Sequence, residues 1–240
     1  METRLNKYLS EAGHCSRREA DRLIEADRVT INDKLPELGT KVQDGDIVKV
    51  DGKEVELQEE FVYIALYKPV GITSTTDRTD KTNIVDFMKY NKRIFHIGRL
   101  DKDSEGLILM TNDGDIVNKI LRSNNDHEKE YIVQVDKKLT EAFLGRMRKG
   151  VPILGTVTKP CKVRKISDNT FSLILTEGLN RQIRRMCSYY EYKVEKLRRT
   201  RVMNIQLDMP KGKWRHLRPE EIQKLKQLVQ DSSKTEDASK

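Results

Sequence analysis

Between two apolar runs of this 240-residue chain lies Gly98-Arg99-Leu100-Asp101-Lys102-Asp103-Ser104-Glu105-Gly106, in which three acids alternate with basic and small residues. Flanking runs of strand length hold such a segment as a short loop over a rigid sheet, a favoured place for chemistry. Acids at alternate positions ahead of a glycine suggest a calcium loop. The twelfth position, where such a loop needs a bidentate Glu, is Asn112, and Leu107 to Thr111 reads as a strand where the loop should continue. An ionised carboxylate on such a loop also has catalytic uses: it stabilises, attacks or deprotonates a centre on which positive charge develops.

A second stretch carries charge of the other sign. From Arg181 to Arg218 there are 12 basic residues against three acidic ones, interrupted by apolar residues and one Trp. A field of that density recruits a polyanion, and the common polyanions of a cytoplasm are nucleic acids. The whole chain has 46 Lys and Arg against 38 Asp and Glu, for a formal net charge of +8, although residues 1–60 carry 15 acids and only 10 bases. No stretch approaches the eighteen consecutive apolar residues of a membrane span, so no membrane partner is expected. Arg4 and Lys7 are not followed by an apolar signal core, and Cys15, Cys161 and Cys187 are odd in number and scattered. These features predict a reducing, cytoplasmic setting with neither a disulfide framework nor a zinc site.

The elements that position these residues follow from periodicity. Arg4 to Ala12 predicts a helix with Leu5, Leu9 and Ala12 on one face, closed by Gly13. Ser16-Arg17-Arg18-Glu19 is a capping box opening a second helix through Asp27, with Ala20, Leu23 and Ile24 inward. Val29–Ile31 and Ile47–Val50 read as short strands, completing an α+β unit over residues 1–55. Residues 56–60 form an acidic linker. A larger unit over 61–229 follows, with strands at 61–67, 93–97, 107–111, 130–135, 161–166 and 171–176, and helices at 83–90, 115–122, 140–148, 182–192 and 219–229. Strands and helices mix without βαβ alternation, which predicts an α+β fold with a mainly antiparallel sheet. Residues 230–240 lack apolar content and are expected to be a disordered tail.

Residues 4–50 resemble the S4 RNA-binding domain in their basic helix pair, in Val29-Thr30-Ile31-Asn32 and in Gly45-Asp46-Ile47-Val48-Lys49-Val50. On that resemblance Arg4, Lys7, Arg17, Arg18 and Arg22 form an RNA-facing surface. His96-Ile97-Gly98 imitates part of a class I tRNA synthetase signature, but Arg99 replaces its last His and no K-M-S-K-S or doubly wound pattern is present. The run Gly98 to Gly114 instead resembles the signature of the small ribosomal pseudouridine synthases, in which an S4 domain precedes an α+β catalytic domain. Lys129-Glu130-Tyr131-Ile132-Val133 and Asn180-Arg181-Gln182-Ile183-Arg184-Arg185-Met186 resemble two further motifs of that family, in the same order. The stretches 125–131 and 178–187 are similar to its F-type subgroup, which modifies the 23S ribosomal RNA uridine called 2604.

The resemblance implies isomerisation of uridine to pseudouridine. The glycosidic bond breaks, the uracil turns, and it reattaches through carbon. Nothing is oxidised and no group leaves, so no cofactor is implied, and neither a P-loop nor a metal-ligand cluster is present in the sequence. Asp101 is implied as the catalytic nucleophile, although the residues leave open whether it attacks ribose or base or takes a sugar proton. Arg184 is implied as the cation that keeps Asp101 ionised. Tyr131 is implied as a stacking platform with a phenol near the migrating proton. Arg99, Lys102, Lys129, Asn180, Arg181 and Arg185 would grip phosphates around an extruded uridine, with Leu100, Gln182 and Ile183 from the same motifs beside it, and Arg198, Arg199 and Arg201 extending the track. The expected partner is a stem-loop of 23S ribosomal RNA bound by a monomer; a neighbouring ribosomal site, a tRNA anticodon arm, or a non-catalytic RNA-binding or ribosome-assembly role on the same fold are the alternatives.

Overall fold

The computed structural model describes residues 2–57, 60–121 and 126–230. Its contacts divide the chain into two units, the first comprising Met1–Val62 with Tyr90–Ile94 and Asn112–Gly114, the second the remainder. The tail and part of the linker expected from the sequence lie outside the described residues.

The first unit runs β1 (Thr3–Arg4), α1 (Leu5–Glu11), α2 (Arg17–Glu25), β2 (Val29–Ile31), β3 (Lys41–Val42), β4 (Val48–Val50) and β5 (Lys53–Glu54). Leu5 and Leu9 of α1 and Ala20, Leu23 and Ile24 of α2 are buried with Val29, Val48 and Val50, as the helical and strand spacings predict. The Ser16 side chain accepts from the Glu19 N–H at 3.2 Å. The Glu19 carboxylate pairs with Arg22 at 3.2 Å, so only half of the predicted capping box is present among the described residues.

The second unit continues with β6 (Tyr63–Lys68), α3 (Ile84–Met88), β7 (Phe95–Ile97), β8 (Glu105–Thr111), α4 (Gly114–Leu121), β9 (Lys129–Val135), α5 (Glu141–Lys149), β10 (Pro152–Ile153) and β11 (Thr156–Val157). It ends with β12 (Lys162–Lys165), β13 (Thr170–Leu175), α6 (Gln182–Tyr189), β14 (Val194–Val202), β15 (Ile205–Gln206), β16 (Trp214–His216) and α7 (Pro219–Leu228). A nine-stranded sheet orders β12-β13-β9-β14-β8-β6-β16, with β15 on β14 and β7 on β8. All of its pairings are antiparallel except β14 with β8. Among the described residues no helix is long and apolar enough to cross a membrane.

The sheet owes its rigidity to strands without a polar face. Every residue of β6 is buried, as is β8 from Gly106 to Thr111, which a strand covered on both sides requires. The apolar run begins at Phe61, but Phe61 is exposed and the strand starts at Tyr63. The helix expected over 182–192 stops at Tyr189, because Tyr192 turns inward and donates its hydroxyl to the Lys138 carbonyl. β14 is the main departure from the sequence reading. Val-Glu-Lys-Leu-Arg-Arg-Thr-Arg-Val carries too much charge to predict an interior strand, yet it lies between β9 and β8, with register shifts flanking Glu195 and Thr200. It is tolerated there because Arg199 and Arg201 find partners inside the fold while Glu195 and Lys196 stay exposed.

At Gly106 the strands β8 and β14 approach closely. The glycine sits at φ +119° opposite Arg199, where an added Cβ would run into the Arg199 backbone. Gly106→Ala is expected to cost at least about 2 kcal/mol, read as a lowered midpoint in denaturant unfolding; an unchanged midpoint would contradict this packing.

Candidate active site

The loop between β7 and β8 is held by its backbone. The Arg99 carbonyl accepts from Arg199 Nη1 at 3.5 Å, and the Leu100 carbonyl from the buried Ser74 hydroxyl at 2.8 Å. The Asp101 carbonyl accepts from the Ser104 N–H at 3.0 Å, closing a turn, and the Lys102 carbonyl from the Gly71 N–H at 2.8 Å. The Asp103 carbonyl accepts from Arg184 Nη2 at 3.0 Å. Five successive carbonyls therefore have donors, four of them from outside the loop, and the direction in which Asp101 points is set by the fold.

The three acids of the loop go three ways. Glu105 accepts from the Tyr67 hydroxyl at 3.1 Å and pairs with Lys211 at 2.5 Å. Asp103 is gripped by both Arg181 terminal nitrogens at 3.2 and 3.0 Å. Burial pushes its carboxyl upward, but the Arg181 hydrogen bonds and the charges of Arg184 and Arg181 hold it below the usual range. Asp101 faces a cleft of about 790 Å³. Its Oδ2 lies 3.4 Å from Arg181 Nη1 and 4.0 Å from Arg184 Nε, and among the described residues it accepts no side-chain hydrogen bond. The divergence of the acids leaves no calcium loop. What it leaves is an open carboxylate oriented by two guanidinium groups.

Arg184 is thus near Asp101, as the sequence reading requires, but its hydrogen bonds go to the loop: Asp103 O, Ser104 Oγ at 3.1 Å and, across the fold, Val194 O at 3.3 Å. Arg181, expected on a phosphate, is the nearer cation to Asp101. Tyr131 on β9 is buried and lines the same cleft, as do Leu100, Ile183, Lys129 and Asn180. Gln182 also borders it, but its amide is used within its own turn, donating to Glu177 at 2.6 Å and accepting from Leu179 N–H at 3.0 Å. Arg185 is exposed and holds Asn180 through the carbonyl at 3.0 Å and the side chain at 3.2 Å.

The expected phosphate track along β14 is corrected by burial. Arg201 is committed to Glu128 at 2.8 Å and Glu130 at 3.1 Å. Arg199 is 3% exposed, its Nε donating to the Leu107 carbonyl at 2.6 Å. Arg199 is sealed from the surface, and Arg201, though partly exposed, is spent on two carboxylates; Arg198 is partly exposed and has no ion pair among the described residues. Arg99 and Lys102 are exposed on the loop, and Arg4, Arg17, Arg18 and Arg22 are exposed on the first unit, where Lys7 lies 3.4 Å from Glu11.

The sequence reading missed Lys68, Ser74 and Ser104. A lysine ending an apolar run was a visible signal; the serines carried none. Lys68 is fully buried, its Nζ donating to Pro69 O at 2.9 Å and Ile72 O at 2.8 Å. Burial first, and Arg199 second, lower its pKa to about 8 against the opposing pull of Asp101, Asp103 and Glu105. Lys129, whose Nζ donates to His127 O at 3.3 Å, is likewise brought to about 8 by burial and Arg199.

A carboxylate open to a cleft, framed by cations and a buried phenol, suits bond cleavage that leaves positive charge on a sugar. The RNA pseudouridylate synthase profile matches residues 62–189 and the S4 domain profile residues 3–48. The chain belongs to the RNA pseudouridylate synthase family. It is 58% identical over 234 residues to the dual-specificity RNA pseudouridine synthase RluF of Salmonella typhi, covering 96% of this chain and 81% of that protein. It is 36% identical over 236 residues to the ribosomal large subunit pseudouridine synthase B of Bacillus subtilis, covering 94% and 96%. A crystal structure of a pseudouridylate synthase superposes with a TM-score of 0.69 at 28% identity, covering 93% of this chain and 99% of that one. The protein is therefore an RNA pseudouridine synthase with an S4 domain, an isomerase whose substrate is uridine in RNA.

Two outcomes follow from the charges of this synthase. Arg99→Ala with Lys102→Ala is expected to flatten the salt dependence of RNA binding by up to about two units of slope, whereas Arg201→Gln should leave the slope unchanged. Because the unfolded chain binds more protons than the folded one between pH 8 and 10.5, Lys68 adds stability above 10.5 and loses it as pH falls through 8. The thermal midpoint of the wild type relative to Lys68→Met should accordingly rise between pH 8 and 10.5; a pH-independent difference would contradict the buried-lysine assignment.

Proposed function

We propose that the synthase isomerises a uridine in a stem-loop of 23S ribosomal RNA, of the 2604 type, with Asp101 as the nucleophile. The observation that carries the chemistry is the Asp101 carboxylate, open to the cleft beside Arg181 and Arg184 while every neighbouring loop carbonyl is occupied. A carboxylate held in that direction meets the positive charge that develops at C1′ when the glycosidic bond breaks, without reorganising. Arg184, 4.0 Å away, fixes the turn behind it through the Asp103 carbonyl.

Tyr131, buried on β9, offers its ring to the extruded uracil and its phenol to the proton lost from C5. Arg99 and Lys102 provide phosphate contacts at the loop, and the exposed Arg4, Arg17, Arg18 and Arg22 provide them on the S4 unit. Extruding a base costs a few kcal/mol, which favours a loop or bulge where stacking is already broken. The relatives described as dual-specificity support a second RNA substrate, for which a tRNA anticodon arm has the same stem-loop form.

Asp101→Asn is expected to lower isomerisation by at least about 10³-fold while RNA affinity stays within a few-fold, because phosphate contacts remain. Mapping pseudouridine in 23S and transfer RNA from cells with and without the gene identifies the target. Normal turnover by the Asn variant would refute the nucleophile, and an unaltered 23S pattern would refute the ribosomal target.

A further inference from the structure

The mechanism above gives no task to the most deeply buried cation of the cleft. Arg199 is 3% exposed and lies in register opposite Tyr131 across the β14–β9 pairing, which puts both side chains on one face of the sheet. Its Nε holds the Leu107 carbonyl in β8 and its Nη1 the Arg99 carbonyl in the loop. Arg199 lines the cleft, and its Nη2 is buried with no hydrogen-bond partner among the described residues. A buried guanidinium donor left unpaired carries a desolvation cost, which an acceptor within its reach would remove. Lys129 lines the same cleft and spends one of its three N–H groups on His127 O.

The acceptor must be a base rather than a phosphate. Phosphates are met by exposed side chains such as Arg99, whereas Arg199 lies among Leu100, Leu175, Ile183 and Leu197, with Tyr131 alongside. Those walls suit the faces of a flat ring. When the C1′–N1 bond breaks, its electron pair leaves with uracil, which carries one negative charge spread over N1, O2 and O4. The charge persists until C5 bonds to C1′; the C5 proton is then lost and N1 takes one up, so that protons balance and no other reagent is needed.

We infer that Arg199 Nη2, assisted by Lys129, is a catalytic contact that donates to a uracil oxygen and stabilises the departing base as an anion. One guanidinium then serves both halves of the broken bond, orienting the loop that carries the carboxylate facing the sugar and neutralising the charge that leaves with the base. The inference rests on the reading of this cleft as the uridine site.

The test compares leaving groups in the stem-loop identified by the mapping experiment, carrying uridine or 5-fluorouridine at the target position. Fluorine withdraws electrons and makes the departing base a better anion, so it needs less help from the protein. Under single-turnover conditions Arg199→Met should slow consumption of the uridine substrate by about 10²–10³-fold, the range for losing one preorganised oxyanion donor. Consumption of the fluorinated substrate should fall at least tenfold less, with RNA affinity within a few-fold of wild type. Equal losses on both substrates would overturn the inference and leave Arg199 as a brace of the loop. Should Arg199→Met not fold, Arg199→Lys carries the same comparison, since one ammonium cannot hold two carbonyls and the base together. Asp101→Asn runs in parallel: if it retains turnover, the site reading fails and not merely the role of Arg199.

Discussion

The turn that carries Asp101 is held by guanidinium groups that arrive from about 80 and 100 residues downstream. Arg184 takes the Asp103 carbonyl and Ser104 hydroxyl; Arg199 takes the carbonyls of Arg99 and Leu107. A seven-residue loop has many conformations of similar energy when its carbonyls face water. With donors from the fold on those carbonyls it has few, and the carboxylate is oriented before any substrate arrives. Arg184 comes from α6 and Arg199 from β14, so the helix and strand positions of the C-terminal half are in effect coordinates of the Asp101 carboxylate.

Burying cations to achieve this carries an energetic cost, visible in Lys68 and Lys129, which burial and the proximity of Arg199 bring to about 8. Arginine tolerates the same setting better because it remains protonated and its planar fork satisfies several carbonyls at once. The result is a cleft whose interior cations hold carbonyls of the loop and of β8, with a separate set of cations exposed at the surface. The division between the sets follows burial rather than sequence position: Arg198 is partly open, whereas the adjacent Arg199 is sealed inside.

Much of the architecture was legible in one-dimensional patterns. The buried faces of α1 and α2, the apolar core of β6 and β8 and the α+β character with its mainly antiparallel sheet all follow from period and composition. β14 was illegible because charge is the usual mark of solvent exposure, and nothing local reveals that Arg201 will meet Glu128 and Glu130 from another strand. Ser74 and Ser104 were equally silent, since a serine's value lies wholly in what stands opposite it.

By itself the sequence determined the kinds of chemistry present and their order along the chain: an acid in a signature turn, a tyrosine on a strand, arginines on a basic helix, and a small basic helix pair in front. Residue type and short-range spacing suffice for that, because strand and helix periods are local properties. Only the tertiary structure decided which arginine serves which carboxylate, that Arg181 lies closer to Asp101 than Arg184 does, and that Arg199 of the apparent phosphate track is interior while Arg201 is held by two carboxylates. Those outcomes depend on Coulomb and hydrogen-bond terms acting over 3–4 Å between residues many positions apart, and no pattern along the chain encodes that distance.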